Sequence, residues 1–228
     1  MKHKAWHTSN YDEVLGLFNR LLSLKIIEMY DKNVWNERYA TKEYLYGTQA
    51  NSFLAENVDL LGGPVLSLAE GEGRNAVFMA SRGLSVLGVD CSEVGLEKAE
   101  SLAESRGVVI ETEVVDLAEF QPEENHFGSV VSISAHLPGS IRRRLYPLIE
   151  KALKPKGILL LEAYSENQLA RNTGGPKDID MLMTVAKLHQ EFPKLTPLLC
   201  RETERHVSEG KGHTGVASVV QYIARKEA

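Results

Sequence analysis

The sequence predicts an α/β domain built on a doubly wound, mostly parallel sheet, and three observations carry that prediction. From Val65 to Asp90 the chain reads as apolar run, glycine-bearing turn, helical spacing, second apolar run and terminal acid. Further apolar runs end at Val114 and Val115, ahead of Ser134 and at Ile158 to Leu161, with helical stretches between them. Finally, Cys200 to Val207 and Val216 to Ala224 read as two strands joined by the turn-rich loop SEGKGHTG, which is a hairpin.

At the N-terminus, Tyr11 to Tyr30 carries Val14, Leu15, Leu17, Phe18, Leu21, Leu22, Leu24, Ile26 and Ile27, the pattern of a long amphipathic helix acting as brace or lid. Residues 1–34 are read as this helical extension and 35–228 as the domain. Trp35, Tyr39, Tyr44 and Tyr46 then concentrate aromatic rings just ahead of the first strand. Val65, Leu66 and Leu68 suit a buried parallel strand. After Gly73, the spacing of Ala76, Val77 and Ala80 predicts a helix whose first N–H groups face a polar ligand. LKPKG, Leu153 to Gly157, is a helix end and turn before the fifth strand. TGGPKD, from Thr173, is a loop or gate, followed by a helix around Asp180 to Glu191 that Pro193 and Pro197 terminate.

The turn points to the ligand. Gly71, Gly73 and Ala76 satisfy a G-x-G-x-x-G/A pattern, and Asp90 stands about 20 residues on at a strand's carboxyl end, where a carboxylate accepts ribose hydroxyls. That combination reads as an adenosine cofactor. Glu70, directly before the first glycine, would repel a pyrophosphate but suits the ammonium of a methionine moiety, which favours S-adenosylmethionine over NAD. Asp116 and Leu117 close the third strand with an acid able to bond an adenine amino group and an apolar side chain able to cover its ring.

Taken together, AEGEGRNAVFMA, the Asp90 strand end, Asp116-Leu117, AHLP (Ala135 to Pro138) and LKPKG resemble the class I S-adenosylmethionine-dependent methyltransferases. Within that class the sequence is similar to the tellurite-resistance and thiopurine methyltransferase-like branch, also in WNERY (Trp35 to Tyr39), EYLYG (Glu43 to Gly47), TGGPKDIDML and EGKGHTG. The resemblance implies a Rossmann-like seven-stranded mixed sheet with the last strand antiparallel. It also implies a cofactor site of Arg38, Tyr46, Glu70, Gly71, Gly73, Arg74, Asn75, Asp90, Cys91, Asp116, Leu117 and Ser134, in which Arg38 pairs with the methionine carboxylate. Three positions depart from the class pattern: the first-strand acid is Ser67, the first loop glycine is Ala69, and the fourth-strand acid is Gly128.

Composition narrows the rest. The 228 residues, 43% hydrophobic and 25% charged, fit one ordinary globular domain. A formal charge of −5 supplies no broad positive field, which argues against nucleic acid as the principal substrate. Arg142-Arg143-Arg144 reads as a solvated helix face. Cys91 and Cys200 have no metal-ligand spacing, so no metal is expected; Cys91 is read as pocket wall. The absence of a signal peptide or long apolar span predicts a cytoplasmic protein with no membrane partner, a monomer or a homodimer.

Methyl transfer asks mainly for in-line placement and exclusion of water, so a missing catalytic triad counts for nothing. His136, at the end of the fourth strand, is the candidate base or anion-binding donor. Tyr164, Glu162 and His213 are candidates for the acceptor pocket, and Arg74 and Asn75 open the first helix toward cofactor or acceptor. The expected function is methylation of a small molecule, a soft or anionic nucleophile such as a thiol or a selenium or tellurium oxyanion. Two alternatives stand beside it: a NAD-dependent oxidoreductase, and a silent S-adenosylmethionine-binding protein acting through its N-terminal helix.

Overall fold

The computed structural model describes residues 32–228. The amphipathic stretch Tyr11 to Tyr30 lies outside the described residues. The first described element is helix α1 (Lys32–Tyr39). Seven strands follow: β1 (Val65–Leu68), β2 (Val86–Asp90), β3 (Glu111–Val114), β4 (Phe127–Ile133), β5 (Leu153–Tyr164), β6 (Leu195–Glu209) and β7 (His213–Lys226). They form one sheet in the order β3-β2-β1-β4-β5-β7-β6. β1 to β5 pair in parallel, while β7 is antiparallel to both of its neighbours. The mixed sheet implied by the resemblance is therefore the one observed.

The continuous apolar runs are explained by burial on both faces. Alternate residues of a strand point to opposite sides. Leu66, Leu159 and Leu161 accordingly pack with Leu145 and Ile149 of α5 (Gly139–Ala152) and Leu188 of α6 (Val185–Glu191), on one side. Val65, Leu160 and Ile223 pack on the other with Phe53 and Leu54 of α2 (Ser52–Asn57) and Met79 of α3 (Arg74–Ser81). The remaining helix, α4 (Glu93–Ser105), follows β2 and starts at Ser92, whose hydroxyl oxygen accepts the Gly95 N–H at 3.0 Å.

Several boundaries differ from the sequence reading. β5 begins at Leu153 and takes in LKPKG, with Lys156 in the left-handed region at φ 66°. The third strand ends at Val114, so Asp116 and Leu117 lie in the loop beyond it. The expected helix around Asp180 to Glu191 divides into a 3-10 turn, Ile179–Met181, and α6, because the Thr184 side chain caps α6 through the Lys187 N–H. The hairpin strands extend to Glu209 and His213, leaving a three-residue tip. Arg142 is no solvated residue: it is 3% exposed and holds the Leu137 and Asp180 carbonyls, each at 2.6 Å, and the Glu191 carboxylate. Gly128 has a steric reason for being glycine, since a Cβ there would stand 2.5 Å from the Gly62 carbonyl oxygen.

Candidate active site

The carboxyl ends of β1, β2 and β4 open into a cavity of about 700 Å³, placed as ligand crevices of open α/β sheets are. Two non-glycine residues at its floor, Ala69 after β1 and Ser134 after β4, have φ of 50° and 56°. Such left-handed positions are costly and collect at functional sites. The Ser134 N–H is satisfied by the Glu162 carbonyl at 2.8 Å. Arg38, Tyr46, Glu70, Arg74, Asn75, Asp90, Cys91, Asp116, Leu117, Ser134, His136 and His213 all line this cavity, so sequence positions more than 170 apart meet in one place.

Other expected residues do not line it. Gly71 and Gly73 lie behind the wall, and their missing side chains serve protein packing: a Cβ on Gly71 would meet the Tyr39 hydroxyl at 2.7 Å, and one on Gly73 would meet Ala99 of α4 at 2.6 Å. Tyr164 is 3% exposed and lies behind His136. Glu162 is 2% exposed and ion-paired to Arg205 instead of facing a ligand. Glu70 is also spent internally. Its Oε1 accepts the Asn75 and Ala76 N–H groups at 3.2 and 2.9 Å, and its Oε2 accepts the Ser67 hydroxyl. Burial raises its pKa, and these hydrogen bonds partly offset that. The carboxylate therefore caps α3 from within.

At one end of the cavity two carboxylates keep acceptor capacity free. Asp90 accepts the Gly71 N–H through Oδ2 at 2.9 Å and the Ser92 N–H through Oδ1 at 2.8 Å, leaving a lone pair on each oxygen for a ribose hydroxyl. Asp116 accepts the Ala118 N–H through Oδ1 at 2.8 Å and lines the cavity with Leu117 beside it. Cys91 is wall: burial and the Asp90 charge push its thiol up to about 12, which makes it a poor nucleophile. At the opposite end, Arg74 is 8% exposed and gives Nη2 to Glu209 at 2.8 Å, while its buried Nη1 has no hydrogen-bond partner among the described residues. The Arg38 guanidinium lies 4.8 Å from the Trp35 ring centre. The Arg38 and Arg74 guanidinium groups both lie near Tyr46 in the cavity wall.

The remaining wall is aromatic. His136 stacks on Tyr164 at 5.1 Å, Tyr164 meets His213 edge-on at 5.2 Å, and His213 meets Tyr46 at 4.6 Å. Pro176 and Lys177 from the TGGPKD segment, with Met181 from the 3-10 turn after it, close this side. Burial, with a smaller contribution from His213, pushes His136 down to about 3, so its imidazole is neutral near pH 7 and lacks the charge of an anion receptor.

Comparison with known proteins agrees with this architecture. Residues 65–157 match the family model for a methyltransferase domain. A structure solved for the conversion of a disulfide bond into a thioacetal group during echinomycin biosynthesis superimposes with a TM-score of 0.68. Sequence identity is 20%, covering 86% of this chain and 92% of that one. TehB from Haemophilus influenzae superimposes with a TM-score of 0.62 at 15% identity, over 86% and 67%. This is the class I methyltransferase fold. Among curated proteins, a 2-heptyl-1-hydroxyquinolin-4(1H)-one methyltransferase from Mycobacteroides abscessus is 23% identical over 120 residues. The match takes in 51% of this chain and about half, 53%, of that relative. The cofactor that the matched domain and the class I methyltransferase fold imply is S-adenosylmethionine.

Sequence reasoning missed a buried polar cluster behind Arg74. Arg205 bonds Glu162 through Nε at 3.1 Å and Glu209 through Nη2 at 2.9 Å, and Asn51 Nδ2 donates to the same two carboxylates at 2.7 and 3.0 Å. Gln221 Nε2 donates to Glu162 at 2.7 Å, and His213 Nδ1 lies 3.6 Å from Glu209. The strand alternation of Arg205, Val207 and Glu209 is the one signal that could have placed charges on an inward face.

Proposed function

We propose that this chain is an S-adenosylmethionine-dependent methyltransferase that acts on a small molecule. One observation carries the choice against a dinucleotide enzyme: the Glu70 carboxylate fills the N-terminus of α3, the seat a pyrophosphate takes in dinucleotide-binding folds. The adenosine contacts at Asp90 and Asp116 stay available, and the unpaired Arg74 Nη1 with Arg38 suits the carboxylate of a methionine moiety. No negatively charged bridge is needed between the two ends.

The bound cofactor supplies a methyl group already activated on a sulfonium. The protein's own task is to hold the acceptor in line, keep water out and take up a proton where the acceptor has one. We assign the proton to His213, which has the Glu209 carboxylate 3.6 Å from its Nδ1 on one side and faces the cavity on the other. His136, neutral and stacked on Tyr164, is read as wall and hydrogen-bonding partner rather than base.

Among soft or anionic nucleophiles, the aromatic wall favours a thiol or a hydroxylated heteroaromatic ring, as in the substrate named for the Mycobacteroides abscessus relative. The aromatic wall itself offers a small selenium or tellurium oxyanion little in exchange for its hydration. Calorimetric titration with S-adenosylmethionine, S-adenosylhomocysteine and NADH tests the cofactor first. Micromolar binding of the first two alone is expected, and binding of NADH alone would overturn the proposal. An acceptor screen with aromatic thiols, hydroxyquinolones, selenite and tellurite then tests the substrate class.

A further inference from the structure

The residue between the two glycines of the cofactor turn, Glu72, points to the segment that covers the cavity. It is 4% exposed, and its Oε2 accepts the backbone N–H of Leu45 at 2.7 Å and of Tyr46 at 3.5 Å. Opposite it, the Lys98 ammonium forms an ion pair with Oε1. Lys98 comes from α4 and does not line the cavity. Its ammonium also donates to the carbonyls of Tyr39, Thr41 and Glu43 at 3.2, 2.9 and 2.8 Å, and lies 4.9 Å from the Tyr44 ring centre. The Tyr44 hydroxyl returns a hydrogen bond to the Lys98 carbonyl at 3.1 Å.

One nearly buried charge pair therefore grips residues 39–46 from both ends. The segment's other ion pair, Glu43 with Lys211 of the hairpin tip, is exposed on both sides (70% and 78%) and so contributes little. The Glu72–Lys98 pair is 3% and 17% exposed, and loss of either member leaves a charge without its partner in a dry site. The segment carries Leu45, Tyr46 and Gly47 into the cavity wall beside Arg38 and Arg74.

We infer that Glu72 and Lys98 form a latch that holds residues 39–47 over the methionine end of the cofactor and so sets how long the cofactor stays bound. This rests on the cofactor reading given above. Lys98 acts wholly through Glu72 and the cap backbone, which makes it a positioning residue.

The test uses the full chain and three variants: Lys98→Met, Glu72→Gln and the double variant, with Lys98→Arg as the charge-conserving control. Amide hydrogen exchange of the free protein and the dissociation rate of S-adenosylhomocysteine are measured for each. The single variants should raise exchange at Leu45 and Tyr46, and speed dissociation, by about tenfold or more, the scale set by one charge-assisted hydrogen bond. The double variant should be no worse than the worse single one, because the two residues act as one unit. Lys98→Arg should recover most of both effects.

Unchanged exchange at 45 and 46, or faster exchange spread evenly over the sheet amides, would overturn the latch. So would unchanged dissociation from variants with an opened cap. If the unaltered protein binds no S-adenosylhomocysteine, the cofactor reading fails, and exchange at the cap still decides whether the latch exists.

Discussion

Glu70 Oε1 accepts the Ala76 N–H at 2.9 Å, so the first turn of α3 is capped by a carboxylate from the strand end that feeds it. Such a contact satisfies donors that a helix start otherwise leaves open and complements its dipole. Glu70→Ala should therefore lower stability by about 1–3 kcal/mol in urea unfolding. Glu70→Gln keeps an acceptor oxygen without a buried charge and should cost less near pH 7. Because burial raises the pKa of Glu70, its stabilising protonation is present at low pH and lost as pH rises through the folded value. That part of the pH dependence should vanish in Glu70→Gln.

Asp90 is the second test. Its two oxygens are already oriented by Gly71 and Ser92, so Asp90→Ala should weaken S-adenosylhomocysteine binding by about 1.5–3 kcal/mol, the scale of hydrogen bonds to a charged group. Burial raises the Asp90 pKa, hence wild-type affinity should decline as pH falls toward that raised value. Titration calorimetry across pH reads both effects, and an unchanged affinity in the alanine variant would remove Asp90 from the ribose site.

His136 makes a prediction about folding rather than catalysis. Its folded pKa is lowered from 6.5 to about 3, so the unfolded chain binds the extra proton between those values. Stability from keeping this imidazole neutral is complete above about 6.5 and lost as pH falls toward 3, with a slope approaching about 1.4 kcal/mol per pH unit. In His136→Phe that component of the slope should disappear from urea-unfolding curves recorded between pH 4 and pH 7.

Arg205 completes the set. It compensates Glu162 and Glu209, both nearly buried, and those two carboxylates face each other across Asn51. Removing the guanidinium in Arg205→Met should cost about 3–5 kcal/mol, the penalty for stranding a buried partner. Arg205→Met with Glu162→Gln should recover a substantial part of that loss. Thermal unfolding of the two variants side by side measures the coupling.

Much of the fold was legible because both faces of the central strands are buried. Val65, Leu66 and Leu68 around Ser67, and Ile158 to Leu161, had to be mainly apolar, and short runs of that kind separated by helical spacing identify a parallel sheet. Asp90 and Asp116 stood out for a related reason: one ends β2 and the other lies two residues past β3, and an acid at the carboxyl end of a parallel strand stands at the mouth of the sheet. The Glu70 contact was less legible. Sequence put its carboxylate at the correct turn, but whether it would face a ligand or fold back onto Asn75 and Ala76 depends on the path between Gly71 and Gly73.

The sequence by itself determined the strand and helix alternation, the glycine-bearing turn after the first strand and the acids at or just past the strand ends, because each follows from local periodicity or from neighbours within a few residues. Only the tertiary structure decided which groups oppose one another. Glu72 meets Leu45 and Lys98, Arg205 meets Glu162, and Gly73 is glycine because α4 brings Ala99 against it. Those relationships are fixed by how helices dock on the sheet and how the β6–β7 hairpin folds back, and contacts between residues so far apart in sequence leave no periodic trace along it.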